Sequence, residues 1–175
     1  MKKVLIIMLL VGAIFSCNSD DNDEDMKYGT IYFPLATRET NPTLKLNFDK
    51  DTTHLLSIYC AGSKYPNKNI ATKIVIDINA YENSSLSSGT HLLPEDSYSI
   101  SPKNMDLTIA KGTDRADMAI TFHATKLDSD KKYVLPLKIE LAGDIPTINT
   151  DTVPIPYYKV SEKHGAMFLR IEHLQ

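Results

Sequence analysis

The side chains able to do chemistry are few and scattered. Five histidines (His54, His91, His123, His164 and His173) are spread over the 175 residues. None stands four residues from another, so there is no His-Glu-x-x-His zinc helix. His123 alternates with apolar neighbours and reads as a strand-surface residue. The sequence has no Gly-x-Ser-x-Gly elbow, P-loop or dinucleotide fingerprint. Glu95 and Asp96 are adjacent carboxylates on a loop, whereas a retaining glycosidase holds its pair about 5 Å apart across a cleft. Asp49-Lys-Asp51, Asp128-Ser-Asp130 and Asn149-Thr-Asp151 put oxygens in loops but lack the glycine and distal glutamate of a calcium loop. The expectation is a non-enzyme with no catalytic residue, no metal site and no cofactor.

Aromatics offer more. There are nine tyrosines and no tryptophan, so the commonest sugar-stacking platform is missing. Tyr65 lies in the polar loop Ser63-Lys-Tyr-Pro-Asn-Lys-Asn69, where an aromatic ring has no obvious core duty. Tyr157 and Tyr158 are neighbours in a strand-like run, so one of them must face outward. Tyr65, Asn67, Tyr157 and Tyr158 are the candidate ligand-binding residues: exposed rings beside an amide could stack on a sugar and hydrogen-bond its hydroxyls. Tyr32, Tyr98 and Tyr133 are expected in the core. Cys60 ends an apolar run and reads as a buried, inert thiol.

The first residues read as an address. Lys2 and Lys3 precede a twelve-residue apolar run, Val4 to Phe15, and then Ser16-Cys17. Such a run spans about 18 Å as a helix, short of the roughly 30 Å hydrocarbon core, and suits a signal peptide. Ile14-Phe15-Ser16-Cys17 resembles a bacterial lipobox. The resemblance implies cleavage before Cys17, with residues 1–16 as signal and Cys17 as the lipid attachment site. Several acyl chains on one cysteine anchor stably, because each buried CH₂ adds about 0.8 kcal/mol. Residues 17–26 then form an acidic tether with five carboxylates between Asp20 and Asp25. That run looks like the export signal of Bacteroidota surface lipoproteins and implies the outer face of the outer membrane.

The net charge of −3 divides accordingly. The signal carries +2, the tether −5, and the remainder is balanced. A neutral body offers no basic field for nucleic acid.

From residue 27 to 175 the pattern is β. Thr30–Leu35, Leu44–Phe48, Leu55–Cys60, Thr72–Ile78, Tyr98–Ile100, Met105–Ile109, Asp117–Ala124, Tyr133–Leu141, Thr152–Val160 and Met167–His173 alternate or are β-branched. In the eighth, Tyr133, Leu135, Leu137, Ile139 and Leu141 share one face. Only Leu86–Leu93 or Asp128–Lys132 suggests a helical turn. Eight to ten short strands without intervening helices predict an antiparallel, immunoglobulin-like β-sandwich. Pro34, Pro136, Pro154 and Pro156 fall in strand-like runs and are expected at edges, bulges or strand starts.

Five segments carry a family resemblance. They are Ile31-Tyr-Phe-Pro-Leu35, Asp77-Ile-Asn-Ala-Tyr-Glu-Asn83, Leu92-Leu-Pro-Glu-Asp-Ser-Tyr-Ser-Ile100, Ile109-Ala-Lys-Gly112 and, most specific, Lys132-Tyr-Val-Leu-Pro-Leu-Lys-Ile139. Together they resemble the immunoglobulin-like N-terminal domain of unknown function of Bacteroidota surface lipoproteins, often found beside glycoside hydrolase or lectin-like domains. The resemblance brings no established catalytic or binding residue. It implies a surface-anchored binding module, attached to the membrane by its lipid, whose partner is a glycan or an outer-membrane protein of a glycan-uptake system. The alternative is a structural spacer or adhesion subunit. Because the chain ends at Gln175 after one last strand, function is expected from this domain or from a partner. Asp51-Thr52-Thr53 and Asp151-Thr152-Val153 also look like Bacteroidota O-glycosylation sites, which makes Thr52 and Thr152 candidates.

Overall fold

The computed structural model describes residues 29–62, 65–143, 147–150, 153–156 and 158–174. The expected signal peptide (1–16), the expected lipid-bearing Cys17 and tether (17–26), Tyr157 and Thr152 lie outside them.

Thirteen strands are present among the described residues. They are β1 (Gly29–Tyr32), β2 (Thr43–Leu46), β3 (Thr52–Ala61), β4 (Ile70–Ile76), β5 (His91–Leu92), β6 (Tyr98–Ser101) and β7 (Asp106–Ile109), then β8 (Arg115–Phe122), β9 (Tyr133–Leu141), β10 (Thr147–Thr150), β11 (Val153–Pro156), β12 (Tyr158–Val160) and β13 (Ala166–His173). One sheet runs β12-β1-β3-β8-β6. The other runs β2-β13-β9-β4-β7, with β5 also alongside β9. A single apolar cluster is drawn from both sheets. The protein is an all-β sandwich. The count exceeds the expected eight to ten because short strands such as β5 are too brief to show a period. The Thr152–Val160 run also divides: β11 pairs with β10, and β12 joins the first sheet.

The sheets are mixed rather than purely antiparallel. β1 pairs with β12, β2 with β13 and β5 with β9 in parallel, and the other pairings are antiparallel.

Period-two alternation chooses the core. In β8, Met118, Ile120 and Phe122 are buried; in β9, Tyr133, Leu135, Leu137 and Ile139 are. Each such side chain contributes about 1.5–3 kcal/mol by leaving water.

Two short helices break the strand expectations. The first strand ends at Tyr32, and Pro34 opens helix α1 (Pro34–Arg38). Proline suits a first helical turn, where its missing N–H has no partner to lose. Helix α2 (Ile78–Glu82) starts because the Asp77 carboxylate accepts from the Ala80 N–H at 3.0 Å. Five residues are too few to show a 3.6-residue period. A 3₁₀ turn at Ser85–Ser88 overlaps the start of the expected Leu86–Leu93 segment, whose later residues His91–Leu92 form β5.

Pro136 sits in a central strand yet breaks no ladder. β4 last pairs with β9 at Leu137, and β5 pairs at Tyr133 and Val134. Pro136 occupies the changeover, where its carbonyl accepts from the Asp77 N–H at 3.1 Å. Its donor-less nitrogen faces the same gap.

Candidate functional site

Tyr32 and Tyr59 face each other across β1 and β3. Their inward neighbours are Ile31, Ile58 and Cys60, all buried, so both tyrosines point out of the sandwich. Tyr32 therefore belongs to the surface and not to the core as expected. The rings are 6.3 Å apart between centroids and tilted by 44°.

The third ring arrives from a loop. The turn after β7 needs Gly112, whose φ is +79°, in the left-handed region that glycine tolerates. From that turn the Gly112 N–H donates to the Pro66 carbonyl at 2.8 Å, and the Lys111 N–H to Asn69 Oδ1 at 2.8 Å. These bonds clamp loop 65–69 to the turn that carries the chain from β7 in one sheet to β8 in the other, and hold Tyr65 near Asp114. On the other side the Cys60 N–H donates to the Asp114 carbonyl at 2.7 Å.

The result is a depression of about 370 Å³ lined by Tyr32, Tyr59, Ala61, Gly62, Tyr65 and Asp114. Tyr65 is 67% exposed. Arg115 lies beside the Tyr59 hydroxyl and 3.7 Å from Asp117, and both neighbours hold its guanidinium above the ordinary value. Asp117 in turn accepts from the Ser57 hydroxyl at 2.5 Å.

Tyr59 also walls a second depression of about 250 Å³, lined by Pro34, Leu35, Arg38, His54, Leu55 and Ser57. It exists because β1 pairs only with Tyr59–Ala61 of β3, and α1 packs beside the rest. Leu55 is 65% exposed there. Burial lowers the His54 pKa, so its ring is neutral at pH 7.

Aromatic faces flanked by carboxylate, hydroxyl and guanidinium groups suit a flat polar ligand. Rings supply area at low entropic cost, and the polar groups fix orientation.

The four expected ligand residues do not gather here. Tyr65 does. Tyr158 is a correction: it is 3% exposed, and its ring lies where a Gly29 side chain would be. Its hydroxyl donates to Asn67 Oδ1 at 3.4 Å, so Asn67 faces a buried ring. Tyr157 is outside the described residues. Tyr32 and Tyr59 are not among the expected ligand residues, although alternation against Ile31 and Ile58 carries the signal.

The other expectations resolve locally. Cys60 is a free, buried thiol, its pKa pushed up to about 11 by burial and then by Asp114. His123 follows β8 at the surface, with Nδ1 2.7 Å from Asp51 Oδ2. Thr52 is half-buried at the start of β3. Tyr133 is in the core, and its hydroxyl accepts from the Asp128 N–H at 3.0 Å. Tyr98 packs against the core. The Asp128 carboxylate accepts from the Asp130 N–H and pairs with Lys131. Among the described residues no three His, Cys, Asp or Glu side chains gather as metal ligands, and no helix is long and apolar enough to cross a membrane.

No curated protein matches the chain. Solved structures do. A putative carbohydrate-binding protein from Bacteroides ovatus is 10% identical at a TM-score of 0.54, with 82% of this chain and 36% of that one covered. EndoBT-3987 of Bacteroides thetaiotaomicron, solved with a Man5GlcNAc product, is 20% identical at a TM-score of 0.55, covering 82% and 30%. An auxiliary nutrient-binding protein from Bacteroides thetaiotaomicron is 14% identical at 0.51, covering 79% and 45%. These likenesses are of fold, and this chain spans less than half the length of each. A family model described as a "-like, N-terminal domain" matches residues 25–145, more than half of the sequence, and the chain belongs to that family of N-terminal domains.

Proposed function

We propose that the protein is a non-catalytic glycan-binding module, anchored through Cys17 to the outer membrane and facing the cell exterior. The observation that carries the reading is the depression framed by Tyr32, Tyr59 and Tyr65 with Asp114 at its wall. Three hydroxylated rings and a carboxylate match a sugar's alternation of C–H faces and hydroxyls. Fold relatives described as carbohydrate-binding and nutrient-binding support it.

The test is titration calorimetry against a glycan panel. Tyr59→Ala and Tyr65→Ala are expected to weaken binding about tenfold or more, which is about 1.4 kcal/mol. Tyr158→Phe should leave affinity unchanged, because that ring is buried. Equal affinity in all three variants would overturn the site. For the anchor, Cys17→Ala should move the protein from the membrane to the soluble fraction, and protease applied to intact cells should remove the wild type.

One observation favours a second reading, a protein-interaction or spacer subunit. Leu55 is exposed beside the part of β3 that β1 leaves unpaired. Co-purification of an outer-membrane protein lost on Leu55→Asp, with silence on the glycan panel, would select it.

A further inference from the structure

We propose that the ligand is an acidic oligosaccharide lying along β3 across both depressions, its anionic unit held by Arg38. The inference rests on the glycan-binding reading above and names the class of glycan.

Length comes first. Tyr59 lines both depressions, and the lining runs from His54 along β3 to Gly62, just past its end. A strand rises about 3.3 Å per residue, so Ser57 to Ala61 alone covers about 13 Å, more than one pyranose ring. A monosaccharide would fill one depression and leave the other wet. A chain would use the Tyr59 ring as the saddle between two subsites.

Charge sets the class and the direction. The first depression carries the Asp114 carboxylate and favours a neutral, hydroxyl-rich unit. The second carries the Arg38 guanidinium, with no carboxylate in its lining. The two arginines of this region differ in what they already hold. Arg115 is occupied by Tyr59 and Asp117. Among the described residues Arg38 makes no ion pair, and the nearest acid along the chain, Glu39, is exposed beyond the end of α1. A guanidinium offers a planar fork of donors that matches a carboxylate or sulfate. Leu35 and Leu55 beside it supply apolar wall for the ring that bears the anion.

The experiment is calorimetry on the full chain with four probes: a short oligogalacturonate, a chondroitin sulfate oligosaccharide, a neutral cello-oligosaccharide of matched length, and free galacturonic acid. Both acidic oligomers are expected to bind at least about tenfold tighter than free galacturonic acid, with affinity falling as salt rises. Binding of oligogalacturonate alone would assign the carboxylate as the recognised group; preference for chondroitin sulfate would assign the sulfate. Arg38→Gln should weaken the acidic oligomers about tenfold and flatten their salt dependence, Arg38→Lys should recover part of the loss, and the Tm of both should match wild type. If the neutral oligomer binds best and Arg38→Gln changes nothing, the acidic assignment falls and the glycan site stands. If no probe binds and a wider panel is silent, both fall together.

Discussion

The outer faces of the two sheets are built from the same alternation but differ at one end, around Val134. On the β3 sheet, Tyr32, Tyr59, Ser57, Leu55 and Thr53 point outward, and short polar pairs such as Thr53–Thr121 (2.9 Å) tie neighbouring strands. Leu55 is 65% exposed. On the β9 sheet, Val134 points away from the core by register with Arg170 yet is 0% exposed. The segment from α2 to β5 packs beside it, with the Tyr81 hydroxyl donating to the Thr90 carbonyl at 2.7 Å. The β9 sheet is thus covered by its own chain around Val134 and Pro136, while Lys138 and Glu140 further along the same face stay exposed; the β3 face is bare and keeps tyrosines and polar groups in the open. A sheet face left uncovered and equipped with half-buried rings is where a ligand fits.

The sharpest way to break that comparison is a charge placed on each face. Val134→Asp buries an unpaired carboxylate and is expected to cost about 3 kcal/mol or more, measured by urea unfolding. Gly29→Ala probes the seam where β12 closes the bare sheet. Its Cβ would meet Tyr158 at 2.5 Å and Cys60 Sγ at 2.7 Å, both in the packed interior. A loss of about 1–3 kcal/mol is expected.

Tyr81→Phe removes one bond that holds the cladding and should cost about 1 kcal/mol. Faster amide exchange between residues 78 and 92 would locate the loss. The smallest effect belongs to Leu55→Asp, expected within about 0.5 kcal/mol of wild type. A large loss there would mean that the bare face is not bare.

Acid and base sharpen the picture further. The His54 pKa is lowered by burial, so the stability it brings is present above the unfolded value of 6.5 and fades as pH falls below it. Cys60 works the other way. Its raised pKa stabilises the fold below the ordinary thiol value of 9.0, and that contribution is lost as pH climbs toward about 11. Native Cys60 should therefore resist alkylation at pH 8 and react fully only in denaturant; rapid labelling of the native protein would contradict its burial.

Much of this architecture was readable from alternation. The β9 face of Tyr133, Leu135, Leu137 and Ile139 and the β8 face of Met118, Ile120 and Phe122 follow directly from period two. So did the exposure of Tyr65, since a ring between lysines and asparagines has nothing to pack on. What alternation misjudged were junctions. Alternation places Pro34 in a strand because Ile31-Tyr-Phe-Pro-Leu35 is uniformly apolar, while a proline at a helix start and one in an edge strand look alike in sequence. Tyr158 was read as a ligand residue because its burial depends on Gly29, 129 positions earlier and opposite it in a parallel pair.

The sequence by itself determined an all-β chain, a buried thiol at Cys60 and which side of each long strand faces the core. These depend on local periodicity and on the cost of exposing apolar area. Only the tertiary structure decided that Tyr32, Tyr59 and Tyr65 converge and that Arg38 sits along the same strand. It also decided that one end of the β9 face is covered by its own chain while the β3 face stays bare. Those outcomes depend on strand order, on the three parallel pairings, and on a clamp between Gly112 and Pro66, contacts between distant residues that no local pattern records.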